Sequence, residues 1–214
     1  PIELDVKNLN LSRNESFVDT IKMFNLYLDF LILRTDDHKK LEIAREHFSK
    51  PIINALSDIS HPCQILADFL TLKDVFKKND IIISWFGDLN NVLFSLVELS
   101  KIIKKIKINV FSDRSLINKN NHKFISDNVE FFYKICNQTI QSSDCIMTDV
   151  FTSMNDELDR DKKKKLLPFQ VNKKIVSLLK KGAVFMHCLP ANIGEEVTSD
   201  ILNSEISIVL KQAY

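Results

Sequence analysis

His61-Pro62-Cys63-Gln64 combines residue types that can polarise a carbonyl group. Proline suits the first position of a helix, because its missing N–H would go unused there anyway. His61 then stands beside the cap and Gln64 one turn later, where the open N–H groups and positive dipole end favour an anion. An imidazole donating to a carbonyl oxygen and an amide oxygen accepting from an amide nitrogen fit that place; a plain helix-capping histidine is the alternative reading. Arg34 closes an apolar run and is one of five arginines among 29 basic residues, a type suited to bidentate contact with phosphate or carboxylate, or to a surface ion pair. Gly87-Asp88-Leu89-Asn90-Asn91 follows an apolar run and lacks the glycine pattern of a dinucleotide site. Its asparagine amides suit either the grip of an amino-acid carboxylate or a helix cap. Asp149-Val150-Phe151-Thr152-Ser153-Met154 places a carboxylate where it can bind an ammonium group, with Ser153 four residues on. Met186-His187-Cys188-Leu189-Pro190 presents Cys188 beside a proline-restricted backbone, although a buried, inert thiol is the default for such a cysteine. No Ser/His/Asp order or carboxylate pair points to covalent or glycosidic chemistry.

Elements of two periods must position these residues. β-rich runs are expected at Asp29–Leu33, Pro51–Ile53, Ile81–Phe86, Lys107–Phe111, Val129–Phe132, Cys145–Thr148, Ala183–His187 and Ile206–Leu210. Helical spacing occupies Ser16–Leu26, Asp37–Phe48, Pro62–Phe76, Asn91–Lys104 and Asn172–Leu179. Strands alternating with helices predict an α/β protein, with parallel sheets flanked by helices in two lobes. The first lobe, 1–77, has too few elements to be complete and ends in a long helix joining it to the second, 78–214. Ligands of such sheets bind beyond the carboxyl ends of the strands, where the segments above fall. The lysine clusters Lys162–Lys165 and Lys101–Lys107 read as solvated faces.

The 214 residues balance 29 Lys+Arg against 28 Asp+Glu, a formal charge of +1, which argues against a generally basic nucleic-acid binder. Hydrophobic residues make up 45% and charged residues 27%, which argues against a disordered chain. No apolar run approaches the roughly 18 residues of a membrane span, and no signal-peptide pattern opens the sequence. The four cysteines, Cys63, Cys136, Cys145 and Cys188, form no CxxC pair, so reduced thiols in the cytoplasm are expected. Only three glycines occur, so each is a candidate constrained turn. The chain runs from Pro1 to Tyr214 and reads as an internal fragment.

In order, the segments resemble the ornithine carbamoyltransferase family over nearly the whole chain. Glu15-Ser16 with Asp19-Thr20 is similar to its E-S-x-x-D-T, and Arg34 falls on a strand-end arginine. His61 to Asp68 is similar to H-P-x-Q-x-L-A-D, Gly87 to Val92 to G-D-G-N-N-V, Asp149 to Met154 to D-x-W-x-S-M, and Met186 to Pro190 to M-H-C-L-P. The Asn-Asn pair, the S-M pair and the cysteine point to the ornithine branch rather than the aspartate one. The resemblance implies a homotrimeric two-domain transferase that makes citrulline and phosphate from carbamoyl phosphate and ornithine, without metal or organic cofactor. Arg34, His61 and Gln64 would contact carbamoyl phosphate. Asn91, Asp149, Ser153 and Met154 would hold the amino-acid end of ornithine, with Cys188 and Leu189 beside its reacting amine. Arg34, His61 and Cys188 are the expected catalytic residues, and these groups are expected to meet in one cleft. Neither nucleic acid nor membrane is an expected partner.

The sequence departs from the family pattern in places. The S-T-R-T-R phosphate loop and the arginine after the last strand are not among the 214 residues, so this piece alone is expected to turn over little. Asn10, Asn155 and Asn192-Ile193 replace a histidine, a glycine and a His-Arg pair. The Asn192-Ile193 change leaves room for another amine substrate, and a non-catalytic binding subunit of the same fold is the reading from a different class.

Overall fold

The computed structural model describes residues 3, 15–78, 80–152 and 160–213, with the side chain of Asn121 left aside. It divides into two compact units, Pro1–Cys63 and Gln64–Tyr214. Among the described residues no helix is long and apolar enough to cross a membrane.

The first unit holds α1 (Phe17–Tyr27), β1 (Leu31–Arg34), α2 (His38–His47) and β2 (Ile52–Leu56). Its opening motif is a helix cap. The Ser16 hydroxyl accepts from the Asp19 amide at 3.1 Å and donates to the Asp19 carboxylate at 2.6 Å, while the Thr20 hydroxyl donates to Glu15 at 3.0 Å. β1 and β2 pair in parallel, Leu31 opposite Ile52. Ile21, Leu31, Ala44 and Phe48 form the small core beneath them.

The second unit is built on α3 (Pro62–Phe76), whose first two residues still belong to the first unit, and on a five-stranded sheet. The sheet comprises β3 (Ile81–Phe86), β4 (Ile106–Phe111), β5 (Val129–Phe132), β6 (Cys145–Thr148) and β7 (Val184–His187), all parallel, in the order β5-β4-β3-β6-β7. Central parallel strands are covered on both faces and therefore read as continuous apolar runs, as in Ile81-Ile82-Ile83-Ser84-Trp85-Phe86. One face packs Trp85, Leu93, Leu96 and Met147, the other Phe86, Phe111, Ile146 and Phe185. The chain runs outward from β3 through β4 to β5, then returns to the other side of β3 with β6 and β7. The reversal opens a crevice at the carboxyl ends of β3 and β6, the place where such sheets bind ligands.

Between the strands lie α4 (Asn91–Ile102), α5 (Arg114–Asn120), α6 (Asn137–Ser142), α7 (Arg160–Leu166) and α8 (Lys173–Val176), and after β7 come α9 (Ser199–Leu202) and α10 (Val209–Gln212). α5, α6, α7, α9 and α10 are too short to show clear helical periodicity in the sequence. The expected strand at Ile206–Leu210 is not one. Residues 206–208 make a single parallel bridge to Phe185, with Phe185 N–H donating to Ile206 O at 2.7 Å and Ile208 N–H to Phe185 O at 3.0 Å. The chain then turns into α10, which buries Val209 and Gln212. The alternation of apolar residues therefore serves one bridge and one helical turn. The lysine clusters also divide. Lys101, Lys104, Lys105 and Lys107 are exposed, but Lys162 is only 15% exposed and pairs with buried Asp88 at 2.7 Å, and Lys163 pairs with Glu195 at 2.6 Å.

Candidate active site

At the tip of β3 the backbone turns sharply through Gly87, whose φ of 116° belongs to the region that favours glycine. A side-chain carbon added there would lie 2.8 Å from the Phe151 ring. Thr148 donates to Phe86 O at 2.7 Å and Trp85 Nε1 to Asp88 O at 2.8 Å, tying the tips of β3 and β6 to the turn. Asn90 then caps α4, its Oδ1 accepting from Val92 and Leu93 N–H, both at 3.1 Å. Those bonds fix the amide's polarity, so its NH₂ faces away and donates to Asp149 Oδ2 at 2.6 Å. Asn90 is thereby in direct contact with Asp149. Asn91 begins α4, its backbone carbonyl accepting from the Ser95 hydroxyl.

Asp149 follows β6 and is 7% exposed. Its Oδ1 accepts from its neighbour Val150 N–H at 2.8 Å and from the Cys188 thiol at 3.0 Å. Burial first, then the charge and hydrogen bond of Asp149, push the Cys188 thiol far above its ordinary range. Cys188 is thus a protonated donor to Asp149 at neutral pH, and not a thiolate nucleophile.

The loop after β7 is held from beneath. Leu189 N–H donates to His187 Nδ1 at 2.9 Å, so Nδ1 must be the unprotonated nitrogen and Nε2 carries the proton, which it gives to Glu196 Oε1 at 3.1 Å. Glu196 Oε1 also accepts from Asn192 N–H at 2.5 Å, and both His187 and Glu196 are fully buried. These bonds hold Leu189 at φ 53°, a conformation that non-glycine residues rarely adopt and that clusters at functional sites. Asp149, His187 and Cys188 each offer a possible ligand atom within 4.8 Å of the others. A metal there would have to displace Leu189 or Glu196 from the ring and remove the thiol proton.

Gln64 lies on the first turn of α3 and donates through Nε2 to Asp68 Oδ1 at 2.8 Å. Gln212 Nε2 reaches the same oxygen at 2.6 Å, and Gln212 Oε1 accepts from His187 N–H at 3.1 Å. Burial raises the Asp68 carboxyl to about 6, against the two amide hydrogen bonds and with help from the charge of Asp149.

Asn90, Asp149, Cys188, Gln64 and Asp68 all belong to the second unit. Arg34, exposed at the last position of β1, and His61, just before α3, belong to the first. Ser153, Met154, Asn10 and Asn155 lie outside the described residues. Sequence reasoning read Asn90 and Asp68 only as members of their motifs and gave no role to Gln212 or Glu196. Two carried a local signal, Asn90 as the residue before a helix and Asp68 four places beyond Gln64; the others are linked only by tertiary contact.

Residues 1–74 match the profile of the aspartate/ornithine carbamoyltransferase carbamoyl-P binding domain, and residues 79–214 that of the Asp/Orn binding domain. The chain belongs to the aspartate/ornithine carbamoyltransferase family. Among its relatives in this carbamoyltransferase family is the ornithine carbamoyltransferase of Methanocaldococcus jannaschii, 34% identical across 100% of the chain and 73% of that protein. That of Thermococcus kodakarensis is 38% identical over 98% of the chain and 69% of the relative. The solved ornithine carbamoyltransferase of Pyrococcus furiosus superposes with a TM-score of 0.85 at 34% identity, over 99% of this chain and 70% of that one. The carbamoyltransferase fold and enzyme class follow from these matches.

Proposed function

We propose that this carbamoyltransferase transfers the carbamoyl group from carbamoyl phosphate to the side-chain amine of ornithine, giving citrulline and phosphate. The observation that carries the reading is the buried carboxylate of Asp149 at the β3/β6 crevice, with Asn90 on one oxygen and the Cys188 thiol on the other. Such a carboxylate suits the cationic amino group of an amino-acid substrate, whereas an aspartate substrate would bring a second carboxylate towards it. The names of the relatives support the same acceptor.

In this mechanism the neutral δ-amine attacks the carbonyl carbon, negative charge grows on the carbonyl oxygen, the bond to the bridging oxygen breaks, and phosphate leaves with its electron pair. The amine nitrogen gives up a proton as the C–N bond forms, and an oxygen of the departing phosphate takes it. Arg34 and His61 stabilise the developing oxyanion as preorganised donors. Gln64 accepts from the carbamoyl NH₂. Asp149, with Asn91, Ser153 and Met154, holds the amino-acid end and fixes the angle of attack. Cys188 and Leu189 border the reacting amine, and the thiol–carboxylate pair helps set its ionisation. The working enzyme is a homotrimer, and its thiols suit the cytoplasm.

The test is a panel of ornithine, aspartate, putrescine and an acylated ornithine with carbamoyl phosphate. Citrulline as the dominant product is expected; preference for another acceptor overturns the assignment. Run on the 214 residues and on the longest reading frame containing them, the assay also shows whether turnover needs residues outside this sequence.

A further inference from the structure

Resting on that reading, we propose that Asp68 is a positioning residue for carbamoyl recognition: through Oδ1 it fixes which end of the Gln64 amide faces the ligand, and Gln212 fixes Asp68. A glutamine amide has two ends of nearly equal shape, one a donor and one an acceptor, and nothing within the side chain selects between them. A carboxylate oxygen accepts hydrogen bonds, so Gln64 turns its NH₂ towards Asp68 at 2.8 Å. Its carbonyl oxygen is then the end left to meet a carbamoyl NH₂. The opposite orientation would set NH₂ against NH₂ and cost the ligand a hydrogen bond.

Asp68 is held in turn. Gln212, 4% exposed and 144 residues along the chain, donates to the same Oδ1 at 2.6 Å. The polarity of Gln212 is settled by the backbone, because its Oε1 takes the His187 N–H at 3.1 Å. Donated hydrogen bonds therefore converge on Asp68 Oδ1, from the last residue of β7 through Gln212 on one side and from Gln64 on the other. Meanwhile Asp68 Oδ2 is buried without a hydrogen-bond partner among the described residues. A carboxyl left half satisfied in the interior weakens the fold, which suits a group placed for Gln64 rather than for stability. The same chain links the start of α3 to the loop bearing Cys188 and Leu189, so both are oriented from one point.

The experiment measures binding of phosphonoacetamide, which carries an amide in place of the carbamoyl group, to the full-length protein by calorimetry. Wild type, Q64A, D68A, D68N and the Q64A/D68A double variant are compared. D68A is expected to weaken binding about tenfold, and D68N less than about threefold, because its side-chain oxygen can take both amide hydrogens. The double variant is expected to bind no more weakly than Q64A alone. Losses that multiply, a D68A protein that binds like wild type, or D68N as weak as D68A would each overturn the proposal. Should D68A fail to fold, Q212A replaces it in the cycle: a loss seen only while Gln64 is present supports the proposal, and an equal loss in both backgrounds overturns it. Citrulline assays on the same wild-type sample separate this inference from the acceptor assignment. Analogue binding without citrulline removes ornithine and leaves the cycle readable, whereas a wild-type protein that does not bind the analogue overturns both.

Discussion

Two buried carboxyl groups at opposite ends of the five-stranded sheet contrast directly. Asp144, just before β6, accepts from Lys78 and Lys180, each at 2.7 Å, and from Ile82 N–H at 2.9 Å. Among the described residues Asp68, linked through Gln212 to the last residue of β7, receives only neutral amides on one oxygen. Burial raises both, but at Asp144 the two lysines and the amide outweigh it and the pKa falls below the ordinary value, while at Asp68 burial wins and the pKa rises to about 6. A carboxylate saturated with cations is a structural clamp. One held by polarity-selecting amides sacrifices stability for orientation. Placement beyond the carboxyl ends of parallel strands marks the second as the functional end.

The largest expected effect breaks the functional end outright. D149A removes the acceptor of both Asn90 and Cys188 and is expected to lower kcat/KM for ornithine by roughly a hundredfold to a thousandfold, while carbamoyl phosphate binding changes little. Steady-state citrulline kinetics decide it; a loss confined to the KM of carbamoyl phosphate would move Asp149 out of the acceptor site. Next comes the turn that shapes the crevice. G87A forces a side chain into φ 116° and against Phe151 at 2.8 Å, so a loss of about 3 kcal/mol is expected in urea unfolding. An unchanged midpoint would show that the Phe151 ring yields without cost.

The two carboxyls should also have opposite pH signatures. Asp144, depressed, contributes stability that is present above its unfolded pKa near 3.8 and is lost as pH falls through its lower folded value. Asp68, raised, contributes stability that is full below 3.8 and is lost as pH rises through about 6. D68N is therefore expected to stabilise the protein at pH 7 by about 1–3 kcal/mol, with the gain vanishing below pH 4. D144N is expected to destabilise it by about 1–2 kcal/mol at pH 7, discounted because both lysines are part-exposed, with the deficit shrinking in acid. Denaturation curves at pH 4 and 7 sharpen the contrast if the signs oppose and erase it if they agree. The smallest effect serves as a control. The exposed Lys101–Glu98 pair is a surface bridge, and K101A is expected to shift stability by less than about 0.5 kcal/mol.

Legibility followed the range of the interactions concerned. β3, β5 and β6 and the extent of α3 were readable residue for residue, because covered parallel strands and an amphipathic helix imprint their periods locally. Ile206–Leu210 misled because one bridge and one helical turn can share a strand-like alternation. In the Asn90-Asn91 pair the sequence left the helix cap unassigned, and the structure gives it to Asn90.

The sequence by itself determined the α/β class, most of the strands and the segments that carry chemistry, since period, turn residues and motif spacing are properties of neighbouring residues. Only the tertiary structure decided the polarity of the Gln64 amide, the protonated nitrogen of His187, the cost of burying Asp68 and the protonated state of Cys188. Each is set by a partner far along the chain, and by a dielectric that exists only once that partner has arrived.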